Sequence, residues 1–594
     1  MEVTKSTFNK LLPTIKESIS NSTFLAIDCE FSGLGTGNEI NGFDSQKLYY
    51  EKIRRGCRDF LVIQFGLCTF RYDNENKCFK QRAFNFYIFP KAIPKYVSDQ
   101  RFLCQVSSID FLVAQDFDFN KLFKHGIPYL NSVQENKYKE ALHDMQKFRA
   151  QNGLGNNSDN TNKVVATRET DKTFVKNVHE QIEAFIKSDE EELVLPRCNG
   201  FLRLLIYQLV RENFDNKVNI RTRADNRDRI IVITRFKSMN ERKEELGRLI
   251  EEEENEFENT IGFTKVIKFL VESGKLIVGH NMALDLLHTI DKFLTPLPED
   301  YEDFKECAHC LFPKILDTKY LTIAEPFINL ISSNVLGHLL ETISKPPFVI
   351  PKIEVEGNGF GYNLNQKKEH EAGYDAYITG VCLLTMWRYL GQGELEEDNI
   401  FGNLHLLTPY MNKLYLMRLQ DCPYIHLGGE DPNPSRDHVF YFTFPKEWRS
   451  SDISQLFGPF GSVHIAWIND TSAYIGLINK QQAAVALSTL SQSDTYTITT
   501  YAKRQAQLAG LPSITRSPII RKRSSDGFTN KRRRISGKDI PFNRSIDPVL
   551  ESPEVDEISD KTSPHKKNLE VVPVVKTSRK RTVSKTFEED SSWD

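Results

Sequence analysis

The sequence predicts an α/β protein built on a mixed sheet, interrupted by a small α/β insert and followed by a second α/β unit. Three observations predict it. Apolar, β-branched and aromatic runs bounded by turn residues occupy 23–30 (TFLAIDCE), 59–71 (DFLVIQFGLCTFR) and 83–89 (AFNFYIF), the pattern of strands. From 275 the pattern becomes alternation, with KLIVGH running directly into the helix-like MALDLLHTIDKFL. Past 430 the order strand, helix, strand, strand, helix, strand is legible within about 65 residues, the ferredoxin-like layout of RNA-recognition modules.

Between the early strands and KLIVGH the main unit is interrupted. Residues 151–172 are polar, rich in Gly and Asn and without periodicity, which marks a loop or linker. A compact stretch follows with two helical patterns, VHEQIEAFIKS and GFLRLLIYQLVREN, and the strand-like RIIVITRF. NERKEELGRLIEEEENEFENT then reads as a solvated helix, and its run Glu251–Glu254 as a solvated face. HLLETI and ITGVCLLTMWRYL are helical patterns of the main unit. In the C-terminal unit VFYFTFP, SVHIAWI, SAYIGLI and TYTITTY are the strands, and SDISQLFGPFG and KQQAAVALSTL the helices. After about 505 the composition turns to Ser, Pro, Lys and Arg with few large apolar residues, the signature of a disordered tail. Its basic clusters, RKRSSDGFTNKRRR and SRKR, suit nuclear import, nonspecific RNA contact or simple solubilisation.

A chain of 594 residues is too long for one core, and 40% hydrophobic with 26% charged residues is ordinary for a globular protein. The net charge of −3 excludes a global basic field, so any nucleic-acid surface is local. No run of about 18 apolar residues predicts a membrane span, and the N-terminus lacks the apolar core of a secretion signal. Ten scattered cysteines suit a reducing compartment; Cys307 and Cys310 lack the second pair of ligands a structural zinc site needs.

The chemistry lies in three short strings, FLAIDCEFSGL, VGHNMALD and HEAGYDAYITG. They supply Asp28, Glu30, Asp285 and Asp375, with His370 five residues before the last acid. Residues i and i+2 of a strand share a face, so Asp28 and Glu30 project side by side at the end of an apolar strand, where cations would offset the cost of burying them. Hard carboxylate oxygens suit Mg²⁺, with Mn²⁺ as a substitute. Asp285 opens a helix and is either a third ligand or a first-turn acid facing the helix dipole. On one helix His370 and Asp375 would lie about 140° apart, so a shared site requires a bend or a helix start between them. Glu371 and Asp375, at i and i+4, are the competing same-face pair. If the four acids converge, they can hold two divalent cations for phosphodiester hydrolysis, with His370 as general base.

Those strings, in that order and with the His-x-x-x-x-Asp spacing, resemble the DEDDh branch of the DEDD 3′-exonuclease superfamily. A Tyr-type site would place Tyr four residues before Asp375, where this chain has Glu371. QFGLCTF, SSIDFL, FDFNKLFKHGIPYLN, LDTKYL and FPKEW extend the likeness over about 1–505, to the poly(A)-specific ribonuclease family within that branch. The resemblance implies an RNase H-like nuclease domain split into 1–164 and 238–425, two Mg²⁺ ions, and hydrolysis of RNA 3′ poly(A) or oligo(A) ends to 5′-AMP. It also implies a homodimer and a nuclear and cytoplasmic location. It assigns the insert, 165–237, to single-stranded nucleic-acid-binding domains of the Arg-x-x-x-His type; Arg203 is present, but Tyr207 stands at the His position. It further implies RNA contacts at Phe31, Leu34, Ile109, Phe111, Lys319 and Leu336, and 5′-cap binding at Trp467 in an RNA-recognition-like domain at 430–505, followed by a basic tail at 506–594. Strand alternation groups Trp467 with Val463 and Ile465, which favours a core position unless the strand ends there. Two other readings stand beside this one. They are a trimmer of small-RNA 3′ ends, of a kind that often carries a C-terminal membrane segment, and a catalytically silent RNA- or cap-binding protein.

Overall fold

The computed structural model describes residues 1–35, 40–93, 100–152, 165–214, 217–225, 228–235, 239–366, 368–392 and 400–509. The tail expected beyond 505 lies outside them from 510 onward. Strands β1 (Glu2–Val3), β2 (Phe24–Phe31), β3 (Val62–Asp73) and β4 (Cys78–Tyr87) belong to the main sheet. The insert contributes β5 (Glu192–Val194), β6 (Val218–Asp225) and β7 (Asp228–Arg235). The main sheet resumes with β8 (Leu276–Gly279), β9 (Ile315–Asp317) and β10 (Ile353–Val355), and β11 (Lys413–Tyr415) and β12 (Tyr424–His426) form a separate ladder. The C-terminal unit holds β13 (Val439–Thr443), β14 (Val463–Asn469), β15 (Ser472–Leu477) and β16 (Thr497–Thr500).

The main sheet runs in the order β1-β4-β3-β2-β8-β9, with β10 also on β4. It is mixed: β2, β3 and β4 pair antiparallel, while β8 joins β2, and β9 joins β8, in parallel. Alternation along β2 splits the core into two layers. Leu25, Ile27, Cys29 and Phe31 belong to one cluster with helices Thr264–Ser273 and Tyr301–Leu311. Phe24 and Ala26 belong to the other, against helix Ala372–Gly391. That helix is buried without a break from Ala372 to Trp387, so its sequence is nearly continuous in apolar residues rather than amphipathic.

Strands β1, β5 and β9–β12, two or three residues each, are too short to carry a periodic signal, and the eight-residue β6, with only Val218, Ile220 and Ala224 apolar, went unread in the sequence. Their partners rather than their composition make them strands. The helical stretch expected from Met282 is an α-helix only over Ala283–Thr289 and continues as a π-helical turn, Ile290–Leu294. In the insert, β5 and β6 flank β7, and helices Glu169–Lys187 and Gly200–Asn213 share a core of Val178, Ile182, Phe185, Ile206 and Val210 with the sheet.

The C-terminal unit has sheet order β14-β15-β13-β16, all antiparallel, with helices Ser450–Phe457 and Ala483–Leu490. Part of its open sheet face is taken up by the main unit. Phe43 packs with Val439 and Tyr474, and a Cβ on Gly476 would lie 2.4 Å from the Phe43 ring. Arg436 locks this contact. Its guanidinium forms a two-pronged pair with Asp421 at 2.7 Å on each prong and donates to the carbonyls of Phe43 (2.6 Å) and Asp44 (3.0 Å). Among the described residues no helix is long and apolar enough to cross a membrane.

Candidate active site

Asp28 and Glu30 continue the β2 face of Phe24 and Ala26, the face covered by helix Ala372–Gly391. β8 pairs with β2 only as far as Ala26–Val278, so the two acids lie just past the end of their parallel neighbour. Such a position, outside the carboxyl end of a strand, is where α/β sheets open clefts. On the other side, Asp28 pairs with Gly66 and Glu30 with Gln64 of β3.

Gly66 sets the depth of the site. A Cβ there would lie 1.9 Å from the Ala372 carbonyl oxygen and 2.5 Å from the Gly373 nitrogen. Only a bare backbone lets the start of the helix rest on β3. Two buried amides then hold that start, Gln64 Oε1 accepting from Ala372 N (3.0 Å) and Asn85 Oδ1 from Gly373 N (3.1 Å). These satisfy helix N–H groups that have no partner within the helix.

Asp375 sits in the first turn, and its Oδ2 accepts from the backbone N–H of His370 at 2.9 Å. His370 has φ +66° and precedes the helix, whose N-cap is Glu371. The chain therefore turns at His370, and the two residues reach one site without sharing a helical face. The His370 ring meets the Phe111 ring edge-on at 4.7 Å between centroids. Glu371, the alternative partner by helical spacing, is drawn away by Tyr362 and by Lys368 at 3.1 Å.

Asp28, Glu30 and Asp375 each offer a carboxylate oxygen, all within 4.8 Å of one another. Asp285 lies outside that trio, on helix Ala283–Thr289, where it is buried and one of its oxygens has no hydrogen-bond partner among the described residues. Burial, then Asp375 and Asp285, hold both Asp28 and Glu30 far above the ordinary carboxylate range, and Glu30 adds to the effect on Asp28. Burial pushes Asp285 up to about 7. A cluster of acids that repel one another, with an orphaned oxygen aside, suits divalent cations.

The remaining expected contacts fall in several places. Phe31 is a core side chain, its ring 4.6 Å from that of His288. Leu34 is half-buried, with its N–H donating to Gln105 Oε1 at 3.1 Å. Ile109 is half-buried and Phe111 is 41% exposed, both on helix Val106–Ala114. Lys319 is buried, its ammonium 5.7 Å from the centre of the Tyr415 ring, and Leu336 is half-buried against the core. In the insert, Tyr207 sits one turn after Arg203, packs on the local core and bonds Thr222 through its hydroxyl. Trp467 is 41% exposed and touches Phe444 edge-on, with a bulge directly after it. The core position favoured by alternation is not adopted, because regular pairing of this edge strand stops at the tryptophan. Trp448 stacks on Phe444 and contacts Phe442 and Tyr496.

Sequence reading missed Gln64, Gly66 and Asn85, which hold the helix start. Their signal was present: each interrupts a local apolar run, Gln64 and Gly66 within VIQFGLC and Asn85 within AFNFY.

The fold and this acidic site define a ribonuclease. Residues 3–383 match the CAF1 family ribonuclease profile and residues 429–507 match an RNA-binding domain, and the chain belongs to the CAF1 ribonuclease family. It is similar to the poly(A)-specific ribonuclease PARN of Homo sapiens, 41% identical over 515 residues covering 85% of this chain and 80% of that protein. The PARN of Xenopus laevis is 39% identical over 511 residues, covering 85% of this chain and 81% of that protein. The pre-piRNA 3′-exonuclease trimmer of Bombyx mori is 27% identical over 541 residues, covering 88% of this chain and 97% of that protein.

Proposed function

We infer that this chain is a poly(A)-specific 3′-to-5′ exoribonuclease, a deadenylase that removes 3′ adenylates from RNA as 5′-AMP. The convergence of Asp28, Glu30 and Asp375 beside the buried Asp285, with His370 at the turn, carries this reading. Similarity to the poly(A)-specific relatives at 41% identity, against 27% for the trimmer, favours poly(A) over small-RNA ends. The intact acid set also disfavours a silent binding protein.

Asp28, Glu30, Asp285 and Asp375 would hold the cations. Bound there, two Mg²⁺ ions, with Mn²⁺ as a substitute, supply the positive charge that an in-line phosphoryl displacement needs on its attacking and departing oxygens. His370 accepts the proton of the attacking water. Asp375 holds the backbone of His370, and Phe111 braces its ring, so the imidazole is oriented before substrate arrives. The exposed Phe111 face, with Leu34, Ile109 and Leu336, offers apolar contact to the terminal bases, and Lys319 offers a cation for phosphate. Arg203 and Tyr207 form a nucleic-acid contact of the insert. In the C-terminal unit the exposed Trp467 stacks on the positively charged 7-methylguanine of a 5′ cap. A homodimer present in nucleus and cytoplasm completes the proposal, the basic clusters at 521–534 and 578–581 supporting its nuclear part.

Incubating 3′-oligo(A) and 3′-oligo(U) RNAs with the protein, in Mg²⁺ or chelator, tests it. Mg²⁺-dependent AMP release that Asp28→Ala abolishes is expected. Undiminished activity of the mutant would sink the site, and equal decay of oligo(U) would remove the poly(A) assignment.

A further inference from the structure

Strand β9 ends on Asp317, whose carboxylate is fully buried and lies outside the acidic trio. Its two oxygens accept four backbone N–H groups. Oδ1 takes those of Asn281 (2.8 Å) and Lys319 (3.0 Å), and Oδ2 those of Met282 (3.2 Å) and Tyr415 (3.1 Å). The donors come from three separate stretches of chain. Asn281 and Met282 form the turn between β8 and helix Ala283–Thr289, with Asn281 at φ +60° and Met282 as the N-cap. Lys319 stands in the first turn of helix Thr318–Ile323, whose N-cap is Asp317 itself, and Tyr415 ends β11.

A buried carboxylate is costly unless hydrogen bonds replace its hydration; here four peptide dipoles offset part of that cost, while burial still holds the Asp317 carboxyl above the ordinary carboxylate range. The arrangement is specific to aspartate. Asparagine would keep one acceptor oxygen and turn an NH₂ group toward two N–H groups. The turn held by Asn281 and Met282 lies within about one helical turn of Asp285, so a shift there carries directly to that carboxylate. Neighbouring groups tie the same corner. The His280 ring, buried and kept neutral, bridges the Thr318 hydroxyl and the Asn334 carbonyl at 2.9 Å each.

We propose that Asp317 is the positioning residue of the active site, one carboxylate that sets where Asp285 and Lys319 stand relative to each other. It touches no reacting atom and acts through the turn it holds. The inference rests on the reading of the acidic cluster as the catalytic centre.

The test uses the full chain and Asp317→Asn. Mn²⁺ binding is measured by calorimetry without RNA, and kcat and KM on oligo(A) across a Mg²⁺ series. The expected result is a folded variant that binds Mn²⁺ roughly 10- to 100-fold more weakly, with kcat lowered and partly recovered at raised Mg²⁺. A folded variant with wild-type Mn²⁺ affinity and kcat overturns the proposal. If the variant does not fold, hydrogen exchange of the wild-type chain decides. The Asn281, Met282, Lys319 and Tyr415 amides should be protected, and protection of the 281–282 turn should rise with Mn²⁺. Exchange at open-loop rates, or no response to Mn²⁺, overturns it. Asp28→Ala separates the two readings. If it stays active, the site assignment fails; if it is inert while Asp317→Asn matches wild type, only Asp317 fails.

Discussion

Gly66→Ala adds one methyl group where helix Ala372–Gly391 rests on β3, and the structure sets the consequence. The new Cβ would stand 1.9 Å from the Ala372 carbonyl oxygen, where ordinary contact begins at 3.4 Å. The obstacle is backbone, so the start of the helix must retreat by about 1.5 Å, the difference of those distances. Retreat stretches the bonds from Gln64 and Asn85, leaving two buried side-chain acceptors and two helix N–H groups short of partners. At about 1–3 kcal/mol for each of the two broken hydrogen bonds, the expected loss of stability is roughly 2–6 kcal/mol. Asp375 and His370 move with the helix, away from Asp28 and Glu30, which stay on β2. A misplacement of about 1 Å costs about 100-fold in rate. The assay is AMP release from oligo(A) at saturating Mg²⁺, below the variant's melting temperature. A folded Gly66→Ala protein with wild-type kcat would refute the argument that this glycine sets the site's geometry.

Three further outcomes are expected. Asp285, pushed up to about 7 by burial, binds more protons folded than unfolded; its contribution to metal-free stability is complete below about pH 4 and lost as pH rises through about 7. Chelated protein should therefore melt lower at pH 8 than at pH 6, and both Mg²⁺ and Asp285→Asn should shrink that difference; a difference unchanged by either contradicts it. Arg436→Ala strips a nearly buried Asp421 of its partner, which should cost about 3–5 kcal/mol and expose the chain near 428–438 to proteolysis; unchanged melting and cleavage would show that the lock is weak. Trp467→Ala, removing an exposed ring, should abolish any advantage of capped over uncapped substrate while barely changing the melting temperature, and a capped advantage that survives removes Trp467 from cap recognition.

Apolar runs in the sequence marked strands β2, β3, β4, β7 and β8, the strands of the C-terminal unit and several helices, because such a run reports burial directly; helices Lys5–Asn21, Gln46–Asp59 and Ser132–Asn152, which mix polar and charged residues with few apolar ones, went unread. The helix bearing Asp375 was legible only from Ile378, yet it starts at Ala372. Its first turn contains Gly373 and Tyr374 and depends on Gln64 and Asn85, supplied by strands about 300 residues away. Nothing local in HEAGYDAY announces those partners. The same holds for Asp317: LDTKYL shows an aspartate and the Lys319 peptide it caps, while the other three peptide groups that need the carboxylate, of Asn281, Met282 and Tyr415, arrive from separate stretches of chain.

What the sequence determined by itself is the chemical inventory and the side-by-side projection of Asp28 and Glu30, because strand periodicity is a local property of the backbone. It also required a break between His370 and Asp375, since helical spacing forbids a shared face. Tertiary structure decided the rest. It set the bend at φ +66°, the convergence of Asp375 on the β2 acids, and the separate, buried place of Asp285. It also decided that Trp467 stands at the exposed end of an edge strand. Each of these depends on which strand stops first or which backbone lies bare beneath a helix, and such distances exist only once the sheet has closed around them.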